Sequence, residues 1–115
     1  MKTAIITGGS RGIGEAMTRK LGELGYNVVI NYRSDSSKAL TEKLIQDLKD
    51  LYGVDGLAVQ ADVSKYEECE KLVNAAVAKF GKKIDVLVNN AGITNNSPFC
   101  ELPREKYMAV LETNL

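Results

Sequence analysis

Short aliphatic runs alternate along this chain with longer stretches in which apolar residues return every three or four positions. Ala4-Ile5-Ile6 stops abruptly at Thr7-Gly8-Gly9-Ser10-Arg11-Gly12-Ile13-Gly14. Beyond it, Ile13, Met17, Leu21 and Leu24 fall on one helical face with Arg19, Lys20 and Glu23 off it, and Gly25 is placed to end the helix. Val28-Val29-Ile30 predicts a second strand, apolar on both faces as buried parallel strands are. Asn31 to Ser37 is expected to be a polar turn that caps a second helix, whose stripe is Leu40, Leu44, Ile45, Leu48 and Leu51 and whose stop is Gly53. Gly56 to Ala61 predicts a third strand. Ser64-Lys65-Tyr66-Glu67 has the S-x-x-E spacing of a capping box, opening a helix with Cys69, Leu72, Val73, Ala76 and Phe80 inward and Gly81 at its end. Ile84 to Val88 predicts a fourth strand. An irregular loop from Ile93 to Leu102 follows, and Pro103 is placed to open a last helix with Met108, Leu111 and Leu115 on one side.

Strand and helix thus alternate four times, with connections long enough for crossovers. The expected class is α/β, a doubly wound parallel sheet occupying residues 1–115 as a single domain. In such a sheet ligands bind outside the carboxyl ends of the strands, where the winding reverses. Four groups fall at those ends: Gly8 to Gly14, Tyr32-Arg33, Asp62-Val63, and Asn89 to Gly92.

The first group has the pattern of a phosphate cradle. Gly8 suits a sharp turn with positive φ, and Gly12 and Gly14 leave room for a diphosphate and for close helix–strand packing. The helix beginning there aims free N–H groups and its positive dipole end at an anion. The second group bears on which dinucleotide binds. An NAD site usually has Asp or Glu at the end of the second strand, but Tyr32 and then Arg33 stand here. A guanidinium suits a ribose 2′-phosphate, and Arg11 in the glycine loop is a second candidate for the same group. NADP(H) is therefore the expected cofactor, with NAD(H) the alternative; both arginines also read as ordinary surface residues, and Asp35 as a ribose acceptor. Asp62 reads either as an acceptor for the adenine amino group or as a cap for the following helix. Ala91 and Gly92 are small enough for a flat ring to approach.

Composition narrows the chemistry. With 44% hydrophobic and 26% charged residues, the chain is that of a globular protein. Fifteen basic residues balance fifteen acidic ones, so no overall field draws nucleic acid or an anionic membrane. No histidine is present, which removes the commonest metal ligand and the commonest general base; no metal site is expected. Cys69 and Cys100 lie far apart without a C-x-x-C, and reduced thiols are expected. No apolar run approaches the ~20 residues of a membrane span, nor the first stretch the core of a secretory signal. A cytoplasmic location is the expectation.

Thr7-Gly8-x-x-x-Gly12-Ile13-Gly14, Asp62-Val63, Asn89-Asn90-Ala91-Gly92 and Asn114 together resemble the successive signatures of the short-chain dehydrogenase/reductase family. The wording of the glycine loop and of Asn89 to Thr94 is similar to the 3-oxoacyl-acyl-carrier-protein reductase branch, an enzyme class of fatty acid biosynthesis. The resemblance implies a Rossmann fold and hydride transfer between NADP(H) or NAD(H) and a ketone-bearing small molecule or acyl thioester. It assigns Gly8, Ser10, Arg11, Gly12, Ile13 and Gly14 to the diphosphate and ribose, Arg33 to the 2′-phosphate, and Asp62 and Val63 to adenine. It puts Asn90, Ala91 and Gly92 beside the ribose and nicotinamide, and makes Asn114 the catalytic asparagine.

The family also carries a Ser and a Tyr-x-x-x-Lys. None of the five tyrosines here has a lysine four positions on: Ile30, Ser36, Gly56, Glu70 and Leu111 stand there instead. The expectation is that these residues form the cofactor-binding half of a reductase, an incomplete Rossmann domain inactive by itself. The alternatives are a non-catalytic nucleotide-binding module and an inactive truncated fragment. The fourth strand would then be an exposed edge, and self-association into a homo-oligomer, completion by another chain, or a chain cut short of its full gene product is expected.

Overall fold

The computed structural model describes residues 1–90 and the backbone of residues 107–112. Five parallel strands form one sheet in the order β3-β2-β1-β4-β5: β1 Thr3–Thr7, β2 Asn27–Tyr32, β3 Gly56–Gln60, β4 Ile84–Asn89 and β5 Tyr107–Glu112. Three helices connect the first four, namely α1 Gly12–Glu23, α2 Lys38–Tyr52 and α3 Tyr66–Phe80. The chain winds outward from β1 to β3, then returns past β1 to β4, so the switch point lies between β1 and β4.

Alternation along the strands sorts the core into two layers. Ala4, Ile6, Val28, Ile30, Val86 and Val88 face α1 and α2, where Leu21, Leu44 and Leu48 meet them. Ile5, Val29, Val59 and Leu87 point the other way, onto Cys69, Leu72, Val73 and Ala76 of α3. The continuous apolar runs are thus explained by burial on both sides. Gly22 brings the two helices on the first face together, because a Cβ there would lie 2.9 Å from Leu48 Cδ2.

The helical stripes are narrower than the periodicity suggested. On α1 the buried residues are Gly14, Thr18, Leu21 and Gly22, while Ile13 and Leu24 are exposed. On α2 they are Thr41, Leu44 and Leu48, with Leu40 and Leu51 exposed. Threonine and glycine supply the close approach that larger side chains were expected to make. The S-x-x-E box does not form: α3 is preceded by Lys65 at its N-cap with no side-chain cap, and Ser64 instead bonds Asp62. Nor is Asn31-Tyr32 part of a turn. Both are buried residues of β2, and the turn is a short 3-10 segment, Asp35–Ser37, introduced by Ser34.

The largest departure is at the far edge of the sheet. The helix expected from Pro103 is replaced over Tyr107–Glu112 by β5, which pairs parallel with β4 from Ile84↔Tyr107 to Asn89↔Glu112. Pro103 and Leu115 themselves lie outside the described residues. Short apolar runs such as Met108 to Leu111 fit either period. Here the open ladder of β4 offers a row of donors and acceptors, and pairing satisfies them. The β4 edge expected from the sequence to be exposed is therefore covered, and β5 becomes the edge of the sheet. Cys69, expected as a reduced thiol, is disulfide-bonded. Among the described residues no helix is long and apolar enough to cross a membrane.

Candidate nucleotide site

All described pairings are parallel, so the loops after β1, β2, β3 and β4 leave the same end of the sheet. The described residues of the four sequence-predicted groups, through Asn90, share one rim. At its centre is the loop from Gly8 to Arg11, which turns with φ of 61° at Gly8 and 55° at Gly12, a left-handed backbone that side chains disfavour. A Cβ added at Gly12 would meet nothing within 4 Å, so its side is open to an approaching group. A Cβ at Gly14 would overlap the Gly8 carbonyl oxygen and come within 2.6 Å of Asn90 Nδ2. Gly14 therefore sets how tightly α1 sits against the end of β1.

Side chains hold this loop from three directions. Thr18, fully buried, has its hydroxyl 2.9 Å from the Gly9 carbonyl and 2.8 Å from that of Gly14, and donates to them. Asn90 Nδ2 donates to the Gly8 carbonyl at 3.1 Å, and the Asn90 backbone N–H donates to Thr7 Oγ1 at 2.9 Å. Asn31 Oδ1 accepts from Gly8 N–H, and the Asn31 carbonyl accepts from Gly9 N–H, both at 3.2 Å. Thr18→Val keeps the shape and deletes the donor to the loop. We expect it to lower stability by about 1 kcal/mol in a urea titration.

The adenosine side is organised by pairs. Arg11 Nε donates to Ser37 Oγ at 3.2 Å, which lays this glycine-loop side chain over the segment that follows β2. Arg33 is mostly exposed, and its Nη2 lies 3.5 Å from Asp62 Oδ2, so residues at the ends of β2 and β3 form an ion pair. The Ser64 hydroxyl, at 2.6 Å, and then the Ser64 backbone N–H, at 3.0 Å, donate to Asp62 Oδ1. These bonds hold the Asp62 carboxyl below its ordinary value, with Arg33 and Lys65 adding charge in the same direction against the desolvation that raises it. A carboxyl depressed in the folded protein binds its proton less tightly there than in the unfolded chain. Its contribution is thus present at neutral pH and lost as the pH falls through the lowered pKa. Asp35, the alternative ribose acceptor, is engaged by Gln60 Nε2 at 2.6 Å.

Two observations fit a dinucleotide diphosphate at this rim. Arg11, at the N-cap of α1, makes no side-chain cap bond, and the open side of Gly12 lies at the same helix start, where first-turn N–H groups suit an anion. Asn90 Oδ1 is shielded from solvent and has no hydrogen-bond partner among the described residues, an acceptor whose position beside the loop suits a ribose hydroxyl. Of the other expected site residues, Ser10 is buried in the loop, Ile13 is exposed on the first turn of α1, and Val63 follows Asp62, partly buried against the α3 layer. Ala91, Gly92 and Asn114 lie outside the described residues. Sequence reasoning missed Asn31, Thr18 and Ser37. Asn31 left one signal, a polar residue directly continuing an apolar strand run. Thr18 and Ser37 left none. No group of three or more His, Cys, Asp or Glu residues is arranged for a metal among the described residues.

A parallel sheet in the order 3-2-1-4 with a glycine loop at the switch point defines a dinucleotide-binding α/β protein. More narrowly, the short chain dehydrogenase family profile matches residues 2–115, and the chain belongs to that family. It is 40% identical over 114 residues to a 3-oxoacyl-[acyl-carrier-protein] reductase, FabG, of Staphylococcus epidermidis, covering 99% of this chain and 45% of that protein. It is 44% identical over 115 residues to an L-rhamnose 1-dehydrogenase (NAD(P)(+)) of Azotobacter vinelandii, covering 99% of this chain and 44% of the other. The crystal structure of a blue fluorescent protein from a metagenomic library in complex with NADPH superimposes with a TM-score of 0.76 at 39% identity, over 93% of this chain and 42% of that one. The chain thus spans less than half the length of the relatives it matches.

Proposed function

We propose that this chain is the nucleotide-holding part of an NADP(H)-dependent reductase that converts a ketone, such as a 3-oxoacyl thioester, to the hydroxy compound. The observation that carries the reading is the shared rim, where the uncapped start of α1 and the open side of Gly12 stand beside Arg11, Arg33 and Asn90. The likeness to a FabG reductase and to an NADPH complex supports it. The nicotinamide, when bound, supplies the hydride.

The residues of this chain do the holding. Backbone N–H groups from Gly12 onward meet the diphosphate, and the low-lying loop excludes water from one side of it. Arg33, with Arg11 beside it, meets the 2′-phosphate; Asp62 accepts from the adenine amino group through whichever oxygen Ser64 leaves free. Asn90 presents its unpartnered Oδ1 to the nicotinamide ribose, Ala91 and Gly92 border the ring, and the Asn114 backbone carbonyl orders a water for proton delivery. A proton must still reach the substrate oxygen, which in this family's chemistry takes a tyrosine beside a cation. The five tyrosines here lack that partner at the required spacing, so the chain by itself is proposed not to turn over.

Both parts are tested with the purified chain. Fluorescence titration should give saturable binding with NADPH tighter than NADH, and absence of any NADPH binding overturns the nucleotide reading. Reduction of an acetoacetyl thioester followed at the NADPH absorbance should be undetectable; steady turnover by the chain alone would contradict the proposed division of labour.

A further inference from the structure

We infer that Asn31 is a positioning residue that locks the diphosphate cradle to the adenine end of the site, so that a dinucleotide is gripped at both ends together. The inference rests on the nucleotide reading above and adds to it a residue outside the family signatures. Asn31 is the penultimate residue of β2 and is buried, with 2% of its surface exposed. Its side chain touches no open surface, so it serves the site only through other groups.

Its amide spans the gap between two of the four loops. On one side Oδ1 accepts from Gly8 N–H at 3.2 Å, at the turn that opens the glycine loop. On the other side Nδ2 donates to the Ala61 carbonyl at 3.0 Å, the residue directly before Asp62. Longer contacts at 3.4 Å to the carbonyls of Val59 and Tyr32 lie on the same side. The orientation of the amide follows from its partners, since an N–H faces one end and only carbonyls face the other. The Asn31 backbone adds a third tie through its carbonyl to Gly9 N–H. One side chain therefore sets the separation between the start of the phosphate loop and the residue that precedes the adenine acceptor. No apolar residue of similar size can do this, and aspartate can do it only when protonated.

A dinucleotide reads that separation because its diphosphate and its adenine are joined by a ribose of set length. Mononucleotide pieces do not, because each engages one end. Preorganisation of two subsites raises the affinity of the joined ligand without altering either subsite. The probes are NADPH, 2′-AMP for the adenosine end and inorganic pyrophosphate for the cradle, titrated against the full chain. For Asn31→Ala we expect NADPH to bind about tenfold more weakly, equivalent to about 1.4 kcal/mol, with each piece within twofold of the unchanged protein. A purely structural role would weaken all three ligands together; that result, or unaltered NADPH binding, overturns the inference.

Asn31→Asp supplies an independent test if the alanine variant does not fold. Burial raises a carboxyl's pKa. Protonated, the side chain accepts from Gly8 N–H and donates to Ala61; ionised, it faces that carbonyl with a negative oxygen. Its NADPH affinity relative to the unchanged protein at the same pH should therefore recover as the pH is lowered from 8 to 5.5, while the ratio for 2′-AMP stays flat. A flat NADPH ratio overturns the inference. Failure of the unchanged protein to bind NADPH overturns the nucleotide reading instead, so the two failures are distinguishable.

Discussion

Gly14→Ala should abolish high-affinity nucleotide binding and destabilise the fold. The added methyl group has nowhere to go, because the Gly8 carbonyl already occupies its place and Asn90 Nδ2 stands 2.6 Å from it. Neither neighbour yields cheaply. The carbonyl is main chain, and it is tied down by the donor from Asn90. Relief requires α1 to move away from the end of β1, which also pulls on the Thr18 bonds to Gly9 and Gly14. Overpacking of this kind costs about 3 kcal/mol, set against the ~1 kcal/mol that alanine contributes to a helix interior. A net loss of about 2 kcal/mol should appear as a lower urea midpoint with an unchanged slope. Displacing the first-turn N–H groups removes at least two charge-assisted hydrogen bonds from the diphosphate, each worth about 1.5–3 kcal/mol. NADPH affinity should fall by about a hundredfold or more in a fluorescence titration. Retention of wild-type affinity would mean that the ligand does not use this loop.

Arg33→Ala should weaken NADPH binding selectively, cutting the preference for it over NADH. In this structure the guanidinium leans on Asp62 at 3.5 Å while most of it remains in solvent. A 2′-phosphate would compete for it with a larger charge and with two oxygens that can take both prongs of the planar guanidinium. Removing Arg33 does two things at once. The phosphate loses a cation, and Asp62, kept ionised by Ser64, is left facing the phosphate unscreened. Exposure limits the first effect to the low end of charged hydrogen bonds, about 1.5 kcal/mol, and the second acts in the same direction. NADPH should weaken about tenfold or slightly more, while NADH changes by less than twofold. The difference should shrink as salt is raised, because the contact lies within reach of counterions. Equal loss for both cofactors would locate Arg33 in the scaffold rather than at the phosphate.

How much of this was legible beforehand depended on whether a feature is local. Four strands, three helices and the positive φ of Gly8 follow from runs, periods and turn chemistry that neighbouring residues determine. Features set by distant partners were misread. Asn31 looked like the start of a turn because asparagine is a turn residue, yet bonds to Gly8 and Ala61 make its burial in β2 favourable. Ser64 and Glu67 had the spacing of a capping box, but the Asp62 carboxylate captured Ser64 first. Glu68, one residue further on, bonds the Asp62 N–H. Ile13 and Leu24 matched a helical stripe whose true centre is Thr18, a polar residue whose hydroxyl is satisfied inside the loop. Met108 to Leu111 carried a helical period and became a strand, because the open ladder of β4 was a partner that no window of adjacent residues contains.

The sequence by itself determined the alternation of strands and helices, the glycine loop at the first strand's end and the family to which the chain belongs. Those properties reside in short stretches whose backbone preferences and hydrophobic faces need no knowledge of the rest. Only the tertiary structure decided that β1 lies between β2 and β4, that Arg33 pairs with Asp62, and that one buried amide spans two ligand loops. Each of these joins residues far apart in the chain. The reason is physical: buried donors and acceptors must find partners wherever packing brings them, and packing is settled by the whole sheet at once.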